Sequence, residues 1–142
     1  MSYGYVYVAQ VAMGADMNQL LKALSEAEAY HGPSLVIGYA PCEMHGIKGG
    51  MFNCQLEMKR AVDAGYWQMF RYNPALKAEG KNPLTIDSKE PTGDYREFIT
   101  SETRYSRLAQ QFPERAEALF AKAENAAKEK YARLVKYGKL FE

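Results

Sequence analysis

The chain has 142 residues, of which 47% are hydrophobic and 25% are charged, and its net charge at pH 7 is +1. This composition is ordinary for one globular domain and excludes a chain too polar to bury a core. The small net charge gives no electrostatic reason to expect a nucleic acid or an anionic membrane as a partner.

The first predicted element is a β-strand over residues 3–12, which are mainly β-branched and aromatic. Alternation along a strand would place Tyr3, Tyr5 and Tyr7 on one face. Such a row of tyrosines could stack on nucleic-acid bases, or it could pack beneath helices with its hydroxyl groups hydrogen-bonded. The nearly neutral charge favours the second interpretation.

A helix and a second strand follow. Asp16 is a favourable N-cap, Gln19 completes the capping-box spacing, and apolar residues recur at helical spacing until the breakers at 32–33. Residues 34–40 form a nearly unbroken apolar run, which is typical of a strand buried on both faces. The pattern predicts one βαβ unit with parallel strands.

The remaining elements alternate and then become helical. A helix is predicted over residues 52–64, and strands over residues 66–72 and 84–87. Apolar spacing then predicts a helix capped near Thr92 or Asp94, and a last helix from Pro113 to Gly138. We predict an α/β fold with a mostly parallel sheet flanked by helices. Residues 1–91 would form the α/β core, and residues 92–142 a helical C-terminal extension of the same domain.

The chain contains no apolar run long enough for a membrane span, and its N-terminus does not resemble a secretory signal. We therefore expect a cytoplasmic protein with no membrane partner. The cysteines, Cys42 and Cys54, are then expected to be free thiols, because reducing compartments rarely keep disulfides.

The residues directly after the second predicted strand carry the most reactive groups. Ligands of open α/β sheets bind outside the carboxyl ends of the strands, where Cys42 and His45 would lie. Cys42 could be a small buried apolar residue, a nucleophile with His45 as its base, or one ligand of a metal or cluster. A metal site would need further ligands, since no CxxC motif is present. Cys54 is as well suited to the core, and His45 to the surface or to a loop cap.

The glycines of this loop, Gly46, Gly49 and Gly50, match no phosphate-binding fingerprint. The sequence also lacks a Gly-Asp-Gly motif followed by Asn, which thiamine enzymes use to hold diphosphate and metal. The chain alone therefore looks catalytically incomplete.

Several longer stretches, spread over residues 2–137, together form a specific pattern. They are residues 3–9, 32–37, 39–42 (Tyr-Ala-Pro-Cys), 50–55, 65–67, 70–74, 80–83 and 87–89. In this order they closely resemble the C-terminal end of the pyruvate:ferredoxin (flavodoxin) oxidoreductases, also called pyruvate synthases.

The resemblance implies a piece of a large homodimeric enzyme. That family oxidatively decarboxylates pyruvate with coenzyme A, using thiamine diphosphate, Mg²⁺ and three [4Fe–4S] clusters, and it reduces ferredoxin or flavodoxin. This chain resembles the second half of the thiamine-diphosphate-binding domain, so a partial fold of that type is expected. The Gly-Asp-Gly element lies in the preceding part of the family's chain. We therefore expect this chain to be inactive alone, to bind none of these cofactors tightly, and to have the rest of the parent chain as its partner.

One functional residue carries over from the resemblance. The family's cysteine at the position of Cys42 is the fourth ligand of the cluster nearest the thiamine, and the other three precede it in the chain. Relatives often have Cys-Ile-Asn-(Gln/His)-Gly here. His45 and Gly46 fit that pattern, whereas Glu43 and Met44 depart from it, so no hydrogen bond from the usual Asn is expected.

Two alternatives stay open from the residues alone. The chain could be a stand-alone α/β binding or assembly module without catalysis, or a hydrolase using Cys42 and His45. The residues also leave open which 2-oxoacid and which electron acceptor the parent enzyme would use, and what His45 and Cys54 do.

Overall fold

A four-stranded sheet with helices packed on it forms the centre of the computed structural model, which describes residues 1–141. The strands are β1 (Tyr7–Val11), β2 (Ser34–Gly38), β3 (Phe70–Tyr72) and β4 (Leu84–Ile86), arranged in the order β2-β1-β3-β4. The predicted α/β class is confirmed, and β1 and β2 are parallel as expected. The sheet is nevertheless mixed, because β3 and β4 each pair in antiparallel fashion. The chain between β3 and β4 is too short for the crossover that a parallel pair needs.

Strand β1 begins later than the sequence predicts. Gly4 has a φ of 77°, a left-handed conformation that turns the chain before the strand starts. Tyr3 and Tyr5 are therefore exposed, whereas Tyr7 is fully buried. The predicted row of three tyrosines on one strand face is wrong.

Helix α1 (Met17–Ala29) has the predicted N-cap, since the Asp16 side chain accepts a hydrogen bond from the Gln19 backbone at 3.0 Å. The Gln19 side chain does not complete a capping box. Its amide nitrogen donates instead to the Gln10 carbonyl at 3.3 Å and to Asp87 at 2.8 Å. Gln19 therefore links α1 to β1 and to the residue that follows β4.

Helix α2 (Cys54–Asp63) follows a 3₁₀ turn at Met51–Asn53. Its first turn packs directly against the loop between β1 and α1. A Cβ atom on Gly14 would lie 2.1 Å from the Gln55 carbonyl oxygen, so only glycine fits at this approach.

The C-terminal part contains α3 (Tyr95–Ser101), α4 (Thr103–Gln111) and α5 (Pro113–Lys139). Asp94, one of the two predicted caps, caps α3, and Pro113 lies in the first turn of α5, as predicted. The single helix expected before Pro113 is two helices, because Glu102 has an extended ψ of 119°. The predicted division of the chain at residue 91 stays a prediction.

Two apolar layers cover the sheet. On one face, Tyr7, Ala9 and Val11 pack with Ala23 and other residues of α1. On the other face, a cluster of strand residues packs against the end of α5; its buried members are Val8, Phe70, Tyr72 and Leu84. The start of α5 joins a third cluster with α2 and α3. Helix α5 is the longest element of the described chain, and its length lets one helix reach both clusters.

Strand β2 is not buried on both faces, which corrects the prediction from its apolar sequence. It forms an edge of the sheet, and the side chains of Leu35 and Ile37 are 50% and 38% exposed. Only Val36 packs into the layer beneath α1. The composition of β2 is that of an internal strand, but among residues 1–141 no element covers its outer side.

Candidate functional site

The candidate site is the loop that begins where β2 ends. Tyr39 still follows the sheet, since its backbone N–H donates to the Val11 carbonyl at 3.1 Å. Cys42 is partly buried and His45 is exposed, and the two side chains meet with Sγ and Nδ1 3.0 Å apart. A turn closed by the Gly46 N–H and the Cys42 carbonyl, at 2.8 Å, brings them together. The structure therefore unites the two reactive residues that the sequence singles out.

The far half of the loop is fixed to the junction between α3 and α4. The Lys48 N–H donates to the Ser101 carbonyl at 2.8 Å, and the Thr103 N–H donates to the Gly46 carbonyl at 3.2 Å. Ile47 is buried and forms a β-bridge with Glu102. The loop that carries Cys42 is thus held by backbone hydrogen bonds on both sides.

Glu102 forms the centre of a buried polar network behind the loop. Its side chain is 0% exposed and accepts a hydrogen bond from the Tyr39 hydroxyl. Arg104 Nε lies 3.1 Å from the second carboxylate oxygen, in an orientation that makes an ion pair but no hydrogen bond. Arg104 also donates to the Tyr66 hydroxyl at 3.2 Å. The charge of Glu102 is therefore compensated although no solvent reaches it.

The pKa of Tyr39 is raised, first by burial and then by the hydrogen bond and negative charge of Glu102. Burial likewise raises the pKa of Tyr7 and Tyr66, which hydrogen-bond to Glu26 and Tyr105. These folded-state pKa values lie above the unfolded value near 10. Their stabilisation is therefore fully present below about pH 10 and is lost as the pH rises from there towards the folded pKa values.

We expect the free energy of unfolding to fall as the pH rises above about 10. At pH 11 the Tyr39→Phe variant should have lost about 1.4 kcal/mol less stability than the native chain, because one fewer proton is retained on folding once the pH exceeds the unfolded pKa near 10. Urea unfolding between pH 8 and 11 measures both slopes, and titrating lysines affect both proteins alike. Identical slopes would contradict the role assigned to the Tyr39 hydroxyl.

A cysteine hydrolase would need a third group to orient the histidine. Within residues 1–141, the ring of His45 makes only the hydrogen bond to Cys42. The contact between thiol and imidazole is present, but the orienting partner of a catalytic triad is not found in this part of the chain.

Cys54 lies at the start of α2, is partly buried, and is a free thiol like Cys42.

No group of three or more His, Cys, Asp or Glu side chains among the described residues could hold a metal ion. Over residues 1–141, no helix is both long and apolar enough to span a lipid bilayer.

Sequence reasoning missed the network around Glu102. Its partner Tyr39 is 63 positions away, and the Glu102 position lies within an apparently continuous helical pattern. No local signal distinguishes this buried glutamate from the solvated ones. The contact arises only when β2 and the α3–α4 junction pack together.

No protein-family model matches the chain. The pyruvate:ferredoxin oxidoreductase of Moorella thermoacetica is 61% identical to it over 142 residues, which is the whole chain but 12% of that relative. The pyruvate-flavodoxin oxidoreductase of Enterobacter agglomerans is 57% identical over 140 residues, 99% of the chain and 12% of the relative. That of Klebsiella pneumoniae is 54% identical over 132 residues, 93% of the chain and 11% of the relative. The resemblance predicted from the sequence motifs is confirmed, and the chain spans about one eighth of the length of these relatives.

Proposed function

We infer that this chain, a segment related to the pyruvate:ferredoxin and pyruvate-flavodoxin oxidoreductases, works as part of a longer cytoplasmic enzyme that oxidises pyruvate to acetyl-CoA. The observation that carries this proposal is the 61% identity over the whole chain to a relative of which it spans only 12%. The segment would contribute the second half of the thiamine-diphosphate-binding domain and one cluster ligand. It would be inactive without the rest of its parent chain.

Three kinds of cofactor are proposed to bind to the complete parent enzyme and not to this chain alone. They are thiamine diphosphate, Mg²⁺ and the [4Fe–4S] clusters. The parent enzyme would be a homodimer that binds coenzyme A and transfers electrons to ferredoxin or flavodoxin.

Cys42 is the residue proposed to bind a [4Fe–4S] cluster. Its thiol is partly accessible at the end of β2, on a loop that hydrogen bonds hold in place. Such a cluster takes about four thiolate ligands, and Cys42 is the only cysteine of this loop. Cys42 therefore fits as one ligand, with the others coming from the rest of the parent chain. When bound, the cluster would accept and pass on single electrons.

His45 is proposed to support the Cys42 ligand. Its Nδ1 atom lies 3.0 Å from Sγ and can donate a hydrogen bond when it carries the ring proton. Hydrogen bonds to ligand sulfur atoms alter the reduction potential of a cluster. This role agrees with an exposed histidine that has no orienting partner of its own among residues 1–141.

The test is a chimera of the Moorella thermoacetica enzyme in which this chain replaces the segment that it matches. We expect the chimera to reduce ferredoxin in a reaction that requires both pyruvate and coenzyme A. The isolated chain, assayed under the same anaerobic conditions, is the control and should show no turnover. A chimera that assembles but does not oxidise pyruvate would contradict the proposal and favour a binding module without catalysis.

A further inference from the structure

The outer edge of β2 is a row of backbone groups with no partner among residues 1–141. The two flanking residues bond to β1: the Pro33 carbonyl accepts from the Tyr7 N–H at 3.0 Å, and the Tyr39 N–H donates to the Val11 carbonyl at 3.1 Å. Along a parallel strand, residues that bond to one neighbour alternate with residues that face the other side. The backbone N–H and C=O groups of Ser34, Val36 and Gly38 therefore point away from β1. An edge of this kind, in an apolar strand without a protecting charge, is a template for another strand.

Helix α1 has an apolar stripe made of Met17, Leu21 and Leu24, each about half exposed. These positions recur at helical spacing and thus form one continuous side of the helix. This stripe is separate from the face that packs on the sheet, where Ala23 is fully buried.

The orientation of α1 shows where this stripe points. Gln19 and Glu26 lie about half a turn around the helix from it, and they contact Asp87 and Arg71 at the β3–β4 side of the sheet. The stripe therefore points the opposite way, towards the open edge of β2.

A third apolar area lies on the other face of β2. Leu35 and Ile37 are paired in register with Val8 and Gln10 of β1, so they point away from α1. The end of α5 covers the β3–β4 part of that face and leaves these two side chains exposed. The stripe, the edge and this face form one surface around β2, which we call the β2 surface.

We propose that the β2 surface is where this segment joins the rest of its parent enzyme, through a β-strand that pairs with the outer edge of β2 and apolar side chains that cover the stripe of α1. The identity of this partner rests on the proposed function. The β1–β2 pair is parallel, and parallel strands of α/β proteins are covered on both faces. The relatives contain about seven eighths of their length outside the matched segment. That length supplies the missing cover without a second protein.

Hydrogen exchange tests this inference in the Moorella chimera described above. The amides of Val36 and Gly38 should exchange at least about a hundredfold more slowly in the chimera than in the isolated chain, because pairing removes them from water. Equal exchange in both proteins would overturn the inference, as would a chimera that does not assemble. Protection in concentrated isolated chain that matches the chimera would assign the β2 surface to a second copy, and would also overturn it.

Gly38 offers a matched pair of variants. Gly38→Pro removes one outward N–H, whereas Gly38→Ala keeps it and places a Cβ at an ordinary 3.9 Å from Val11. We expect Gly38→Pro to abolish most of the protection of Val36 in the chimera, and Gly38→Ala to retain it. Similar protection in both variants would overturn the proposed pairing.

The pyruvate-dependent activity of the unmodified chimera is a separate readout. An inactive chimera with protected β2 amides would contradict the proposed function and leave the junction intact. An active chimera with unprotected β2 amides would contradict the proposed junction and leave the proposed function intact.

Discussion

The Arg71→Met substitution is expected to lower the free energy of unfolding of this chain by about 3 kcal/mol. Arg71 is 8% exposed, and its guanidinium group contacts both oxygens of Asp87, at 2.8 and 3.0 Å. A third hydrogen bond reaches Glu26 at 2.5 Å. Methionine fills a similar volume but leaves two carboxylates near the sheet without their cation. Removal of one partner from a buried ion pair costs about 3–5 kcal/mol, and the partial exposure of Glu26 places this case near the lower end.

Urea denaturation at neutral pH measures this effect, and two other variants separate its causes. Arg71→Lys keeps the charge but cannot contact both oxygens of Asp87 with a planar fork, so a smaller loss of about 1 kcal/mol is expected. Lys59→Met breaks the exposed ion pair with Asp63. This control should change stability by less than about 0.5 kcal/mol. If Arg71→Met were no more destabilising than Lys59→Met, the network around Arg71 would not stabilise the fold.

Local signals predict where three of the helices begin. Asp16, Asp94 and Pro113 determine where helices begin through interactions with the next few residues, and these starts are all present. A capping side chain needs only its own backbone neighbours, so the relevant physics is contained in the sequence window.

The burial of a strand and its direction in the sheet depend on contacts with residues that lie far away in the sequence. The apolar sequence of β2 correctly indicates a strand, but its burial depends on which elements lie beside it. The antiparallel pairing of β3 with β1 and the pairing of Tyr39 with Glu102 likewise follow from packing over long separations. Cys42 and His45 were predictable as a candidate pair because their short separation in sequence lets one turn bring them together.

The Cys42→Ser substitution, made in the Moorella chimera, is expected to remove one [4Fe–4S] cluster per chain. Serine keeps the size of the side chain but replaces a thiolate with a hydroxyl group, which is a poor ligand for iron at neutral pH. Since the cluster would carry electrons towards the acceptor, pyruvate-dependent reduction of ferredoxin should fall by more than about a hundredfold.

Iron and acid-labile sulfide, measured in anaerobically purified protein, report the cluster directly, and electron paramagnetic resonance of the reduced protein identifies it. Cys54→Ser is the matched control, because Cys54 is the other free and partly buried cysteine. It lies at the start of α2, and no ligand role is proposed for it, so this variant should keep the iron content and activity of the chimera. Full iron content in the Cys42→Ser protein would exclude Cys42 as a ligand, whereas an equal loss in both variants would indicate a folding defect in place of a lost ligand. Selective loss in Cys42→Ser alone would show that β2 delivers one thiolate to a cluster shared with the rest of the parent enzyme.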